Sequence, residues 1–204
     1  MHPKLCRRAK PMNFIAQQMN KKIIKPTPFG SVCVIWAVSD ISPGIVHVLI
    51  PKPGLSAEDQ VSELYPNSRT SSCAEIDAAS AAIKAHLEGE DVVFSLNIVD
   101  FTLCSTFQKS VLRATYSIPQ GSVSTYQLIA AHLGIRKGAR AVGNASANNP
   151  FPLIVPCHRV IRSNRHIGGY GGGTEMKQAL LEREGIIFDH VGRVICKRLH
   201  YDRK

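Results

Sequence analysis

No run of apolar residues in this chain approaches the roughly 18 needed to cross a membrane as a helix, so a soluble protein without membrane contact is expected. The N-terminus is basic but lacks the apolar block and small-residue cleavage site of a secretory signal. Its Arg- and Lys-rich, acid-free composition leaves an organelle transit role open. Six cysteines, at positions 6, 33, 73, 104, 157 and 196, never form a C-x-x-C pair, which argues against zinc-finger or zinc-ribbon spacing. A disulfide framework is not expected in a chain of 204 residues without a signal, and a reducing intracellular compartment fits best. The stretch 168–173 is rich in glycine, yet it has neither the spacing nor the Lys-Ser/Thr of a phosphate-binding loop.

Charge is unevenly spread. Residues 1–28 hold seven Lys/Arg and no acids, residues 29–104 three against ten acids, and residues 105–204 fifteen against five. An acidic middle beside a basic C-terminal half implies two modules behind a basic leader, with only the second meeting a polyanion. The alternative is a solvated basic surface. The expected division is a leader at 1–28, an N-terminal α+β domain at 29–104 and a C-terminal domain at 105–204. At 44% hydrophobic residues the chain can bury a real core.

Along the leader only a weak amphipathic run from Met12 to Ile24 stands out, to be read as poorly ordered or as a short helix on the body. Ser31–Ala37 and Ile45–Pro51 are rich in β-branched residues and flank turn chemistry at 40–44, which predicts a hairpin. Cys73–Leu87 places Ile76, Ala79, Ile83 and Leu87 on one face and precedes Gly89, which predicts an amphipathic helix with a glycine cap. Val92–Phe101 returns to strand character. Helices follow at Thr106–Tyr116, at about Thr125–Leu133 with Ser124 or Thr125 as cap, and at 138–147. The last two fit either a helix–turn–helix or a plain αα-hairpin. The 138–147 helix has almost only small side chains, with Arg140 its single long one. It could lie against a core, or in a minor groove about 6 Å wide with Arg140 reaching in. A final helix spans about Thr174 to Glu184, with Thr174 as cap candidate. Met176, Leu180 and Glu184 share a face, so Glu184 either points inward and needs a partner or swings out to water.

The most informative stretch runs from Asn149 to Gly173. An apolar segment bounded by prolines ends in Pro156-Cys157-His158, and it reads as a buried extended strand carrying Cys157 inward. A thiol of pKa about 8.5 needs a base to become a nucleophile near neutrality. His158 could serve through a water or a turn, with Glu184 as its orienting partner. The dipeptide alone is weak evidence, since a buried structural cysteine is its commoner reading. The glycines at 168–173 either let a backbone pass close to a ligand, with Tyr170 as a wall, or form a linker.

Taken together, Asn149-Pro150, Pro156-Cys157-His158-Arg159-Val160, Gly121 through Thr125-Tyr126, Ala139-Arg140-Ala141-Val142-Gly143 and Gly169-Tyr170-Gly171-Gly172 resemble the O6-alkylguanine-DNA alkyltransferase (methylated-DNA–protein-cysteine methyltransferase) family. The likeness covers about residues 105–188. It implies a small N-terminal α+β module, comprising hairpin, helix and strand, before a mainly helical domain with a helix–turn–helix. It also implies a single-turnover methyltransferase that flips O6-alkylguanine, and O4-alkylthymine as a further candidate, out of duplex DNA and moves the alkyl group irreversibly to its own cysteine. By motif position, Cys157 is the acceptor, His158 the base, Glu184 its orienting carboxylate, Asn149 the brace of the turn, and Tyr126 the donor to the departing purine. Arg140 is the finger that replaces the flipped base, and Ala139, Gly143 and Arg159 join Tyr126 and Arg140 at the DNA. Cys157, Val160, Tyr170, Gly171 and Lys177 would form the base pocket. No cofactor or catalytic metal is implied. Some members hold zinc through N-terminal Cys and His residues, but Cys6, Cys33, His47 and His86 do not match that spacing. The expected protein is a DNA-associated intracellular monomer. The alternative is a relative that binds alkyl lesions and recruits other machinery without transfer.

Overall fold

The computed structural model describes residues 18–39 and 42–202; most of the leader and the tip of the expected hairpin lie outside them. The β-branched runs form β2 (Val32–Val38) and β3 (Pro43–Leu49), paired antiparallel as the hairpin reading requires. The register shifts between Ile35 and Trp36, a β-bulge opposite His47 and Ile45. β2 is buried on both faces, and the strand period of two sorts its side chains. Val32, Val34 and Trp36 enter the large core, while Cys33 and Ile35 enter a smaller one.

The other edge of β2 is covered by β1 (Asn20–Ile24), which also pairs in parallel with β4 (Arg69–Thr70), giving the order β3-β2-β1-β4. Residues 20–24 are thus a strand, not the end of a disordered or helical leader. The reason is tertiary: the buried β2 needs a backbone partner along that edge. Helix α1 (Ala57–Leu64) was not anticipated, although Ser56 caps it by accepting from Asp59 N at 3.0 Å and acids fill its first turn. Helix α2 (Ala74–Glu88) matches expectation. It buries Ile76, Ile83 and Leu87, and ends on Gly89 at φ 102, a left-handed cap that glycine takes without steric cost.

The expected strand at 92–101 is instead two 3₁₀ turns, Leu96–Ile98 and Phe101–Leu103, with a single bridge from Val99 to Ile45. Ser95 and Asp100 accept from the amides of Asn97 and Thr102, and these local bonds outcompete a ladder.

In the C-terminal half, α3 (Thr106–Tyr116), α4 (Tyr126–His132) and α5 (Ala139–Ala147) pack around Val111, Ile118, Ile129 and Val142. Thr125 caps α4 through the amide of Leu128. Helices α4 and α5 form the helix–turn–helix. β5 (Ser124–Thr125) runs parallel to β6 (Val160–Ile161), and α6 (Thr174–Arg183) precedes a short hairpin of β7 (Ile187–Phe188) and β8 (Val194–Ile195). Thr174 opens α6 and does not cap it; Gly173, at φ 90, takes the cap position. Among the described residues no helix is long and apolar enough to cross a membrane. The class is α+β.

One core joins the halves. Ile83, Leu87 and Trp36 share it with Leu112, Phe151, Ile154 and Leu180. Phe151 meets Phe101 edge-on at 5.4 Å, and Val48 N donates to Pro150 O at 2.8 Å. Phe151→Ala should cost about 3–5 kcal/mol, whereas Phe151→Leu should cost less than about 1.5 kcal/mol. Urea denaturation of both variants measures the difference.

Candidate active site

The turn that carries Cys157 is built by the residues before it. Val155 N donates to Phe151 O at 2.8 Å, and Leu153 sits at φ 74. A non-glycine residue in that region costs on the order of 1 kcal/mol or more, and complete burial of Leu153, Ile154 and Val155 offsets it. Asn149 spans the turn: its Nδ2 donates to Val155 O and its Oδ1 accepts from Phe151 N, each at 2.9 Å. Pro156 then opens a 3₁₀ turn, Cys157–Arg159, held by Arg159 N to Pro156 O at 2.9 Å. The segment therefore delivers Cys157 inward as expected, but as a turn and not as an extended strand. Successive side chains in such a turn point about 120° apart. Cys157 faces a cleft, while His158 and Arg159 face the interior.

The interior pair meets Glu184 at the end of α6. His158 is fully buried, and its Nε2 lies 2.8 Å from Glu184 Oε1. Arg159 donates through Nε and Nη2 to both carboxylate oxygens at 2.9–3.1 Å, and through Nη1 to Ile118 O at 2.7 Å. Burial alone would raise the Glu184 pKa, but the hydrogen bonds and charges of His158 and Arg159 prevail and bring it down to about 2. An ionised carboxylate only accepts, so His158 Nε2 carries the proton in that bond. Burial pushes the His158 pKa down, against the pull of Glu184. The imidazole is thus neutral, with Nδ1 as its free acceptor, and Nδ1 has no hydrogen-bond partner within the protein. Burial raises the pKa of Cys157, opposed by the Asn149 side chain and the Lys177 charge. The resting group is a thiol.

The cleft outside Cys157 has a volume of about 710 Å³ and is lined by Tyr126, Asn149, Tyr170 and Gly171, among others. Burial keeps Tyr126 protonated by raising its pKa. Arg140 stands exposed on α5. Gly143 brings that helix close to α4; a Cβ there would lie 3.9 Å from Tyr126 Cδ1. Ala139 is on the same helix, one position into its first turn.

Three expected site residues lie elsewhere. Arg159 is buried and bound to Glu184, so it is not a DNA contact. Lys177 is fully buried, with Nζ on Val160 O at 2.6 Å and Gly169 O at 3.4 Å. It tethers the glycine stretch to β6 and does not line the cleft, and neither does Val160. Burial lowers the Lys177 pKa to about 8, against the pull of Cys157.

Sequence reasoning also missed residues. His47, Lys52 and Gln60 of the N-terminal half and Arg162 line the cleft. Nothing in their local sequence marks them. His86 approaches Glu184, and its position on the apolar face of α2 was a readable signal. Among the described residues, His86, His158 and Glu184 are the group of three potential metal-donor side chains, with ligand atoms within 4.8 Å.

The site sets a thiol that opens on a cleft next in sequence to a buried neutral imidazole held by a carboxylate, beside a helix–turn–helix. Such a site fits a DNA-binding group-transfer protein with a cysteine acceptor. The family model for the DNA-binding domain of 6-O-methylguanine DNA methyltransferase matches residues 106–186. A methylated-DNA–protein-cysteine methyltransferase of Mycolicibacterium paratuberculosis is 38% identical over 144 residues, covering 69% of this chain and 86% of that protein. One from Methanothermobacter thermautotrophicus is 46% identical over 105 residues, covering 52% of this chain and 58% of that protein. The crystal structure of Mycobacterium tuberculosis OGT in complex with DNA is similar at a TM-score of 0.63 and 30% identity, covering 81% of this chain and 92% of that one. The chain belongs to the methylated-DNA–protein-cysteine methyltransferase family, transferases of DNA repair.

The depressed pKa of Glu184 makes its contribution to stability present above the unfolded value of 4.5 and lost as pH falls from there towards about 2. Glu184→Gln leaves the buried Arg159 without its counter-charge. It should cost about 3–5 kcal/mol at pH 7, and the gap to the native protein should narrow as pH falls through that window. Urea denaturation across pH measures this.

Proposed function

We propose that this member of the family repairs O6-alkylguanine in duplex DNA by moving the alkyl group irreversibly to Cys157, with O4-alkylthymine as a second candidate substrate. The observation that carries the reading is the neutral, Glu184-bound His158 with a free Nδ1, directly behind a cysteine that opens on a cleft. His158 Nδ1 takes the thiol proton through a bridging water. The sulfur attacks the alkyl carbon, the bond to O6 breaks, and its electron pair stays on the purine. Tyr126 protonates the departing guanine anion and regains a proton from solvent. The products are guanine and S-alkylcysteine, and no base in the site can cleave the thioether, so each molecule acts once. Glu184 stabilises the imidazolium formed on the way.

The target base would leave the helix to reach Cys157, at an unstacking cost of a few kcal/mol. In this reading α5 lies in the minor groove, Arg140 fills the gap, and Ala139 and Gly143 keep that face slim. Tyr170 and Gly171 wall the base. With the N-terminal module extended to take in β1 at 20–24, DNA binding and transfer fall to the basic second module, 105–204. The chain acts as a monomer on DNA inside the cell.

Incubation with duplex DNA containing O6-methylguanine should add one methyl group to the peptide holding Cys157, measured by mass spectrometry, and Cys157→Ala should abolish repair. Tight lesion binding with no mass change would favour the lesion-recruiting alternative. Arg140→Ala should slow transfer from duplex DNA roughly tenfold while leaving the reaction with free O6-alkylguanine base nearly unchanged; equal losses in both assays would contradict a finger role. Affinity for duplex DNA should fall steeply with salt, because phosphate contacts release counterions. Titration at several salt concentrations reads the slope.

A further inference from the structure

His86 is a buried ionisable group with no task in the mechanism above. It projects from α2, in the N-terminal half, on the face that buries Ile83 and Leu87, and it is 3% exposed. Its Nε2 lies 3.8 Å from Glu184 Oε1, the oxygen that His158 Nε2 also approaches. Its ring stands 5.7 Å from the His158 ring and edge-on to Phe94 at 5.8 Å. Neither ring nitrogen makes a hydrogen bond of standard geometry, although the Glu90 backbone lies near as a weaker acceptor. An unsatisfied buried polar group carries an uncompensated desolvation cost, and an apolar side chain would fill this place without it. Packing alone does not account for an imidazole here.

The titratable and charged groups facing His86 all come from the C-terminal half: His158, Glu184 and Arg159. Burial, with repulsion from Arg159 and from His158 when that ring is protonated, outweighs Glu184 and holds the His86 pKa at about 4, so the ring is a neutral N–H donor. A cation bridging His86, His158 and Glu184 is disfavoured, because the Arg159 guanidinium already occupies both carboxylate oxygens. What remains within reach is one further N–H at Oε1, beside those of His158 and Arg159, a small side-chain adjustment away.

We propose that His86 is a positioning residue for alkyl transfer: it donates to Glu184 Oε1 from the N-terminal half and shares that oxygen with His158 and Arg159. Sharing weakens the pull of the carboxylate on the His158 proton. His158 then stays neutral, with Nδ1 free to accept, to lower pH. This rests on the alkyl-transfer reading, and it makes the N-terminal half part of the relay.

The test is single-turnover methyl transfer from O6-methylguanine DNA across about pH 5–9, in the native protein, His86→Leu and His86→Gln. Leucine removes the donor and keeps the packing; glutamine keeps a neutral N–H. His86→Leu should move the acid limb of the rate profile up by about half a pH unit, a roughly threefold loss below the limb, with lesion affinity unchanged. His86→Gln should follow the native curve. Coincident limbs for native protein and His86→Leu overturn the proposal. Equal shifts in both variants overturn it too, since that outcome reports packing alone. If His86→Leu does not fold, His86→Phe takes its place in the same comparison. Iodoacetamide alkylation of Cys157 without DNA, over the same pH range, scores the same shift independently. If the native protein transfers no methyl group, the repair reading fails, and the position of the alkylation limb still decides the role of His86.

Discussion

Glu184 ends α6 with its carboxylate inside the protein, ionised, where desolvation alone costs several kcal/mol. That charge is tolerable only because Arg159 and His158 converge on it with four hydrogen bonds. Much of the C-terminal half follows from this requirement. The chain after Pro156 must turn so that two successive residues face inward while Cys157 faces out. Asn149 and the strained Leu153 hold that turn, and α6 must run so that its last residue arrives opposite. Arg159 also reaches Ile118 O, fixing the end of α3 to the same point. Lys177, two turns earlier on the same face of α6, does the same for the glycine stretch by binding Val160 O and Gly169 O. The reactive geometry is thus a consequence of satisfying buried charge.

The N-terminal half contributes more than support. Its sheet and α2 share a core with Phe151 to Val155, the run that positions the cysteine turn. His47, Lys52 and Gln60 form part of the cleft wall, and His86 lies against the imidazole–carboxylate pair. Chemistry in the second half is therefore exposed to changes in the first. The charge asymmetry fits the division of labour, since the exposed arginine on α5 belongs to the basic half.

Elements specified by strong local signals were legible from the sequence. The hairpin at β2–β3, the Gly89-capped α2 and the Thr125-capped α4 are each set by periodicity and capping. Helical spacing with Met176 and Leu180 offered an inward Glu184 as one of two readings, and the buried partners His158 and Arg159 decided it. Where a local bond or a distant partner decided the outcome, the sequence misled. Ser95 and Asp100 turned an apparent strand into 3₁₀ turns, and an unfilled edge of β2 drew residues 20–24 into the sheet.

The ordered motifs around Cys157 pointed to the family and, through that resemblance, to the cysteine, its histidine and the carboxylate as a set, because these residues sit in one short, patterned stretch and at the end of the last predicted helix. Only the tertiary structure decided which cations serve that carboxylate and which meet solvent. Arg159 and Lys177 look like exposed binding residues in a basic chain, yet both are buried on acceptors 25 and 17 residues away in sequence. His86, nearly a hundred residues before Glu184, joins the relay for the same reason. Desolvation is a property of the assembled core, and no local stretch of sequence carries it.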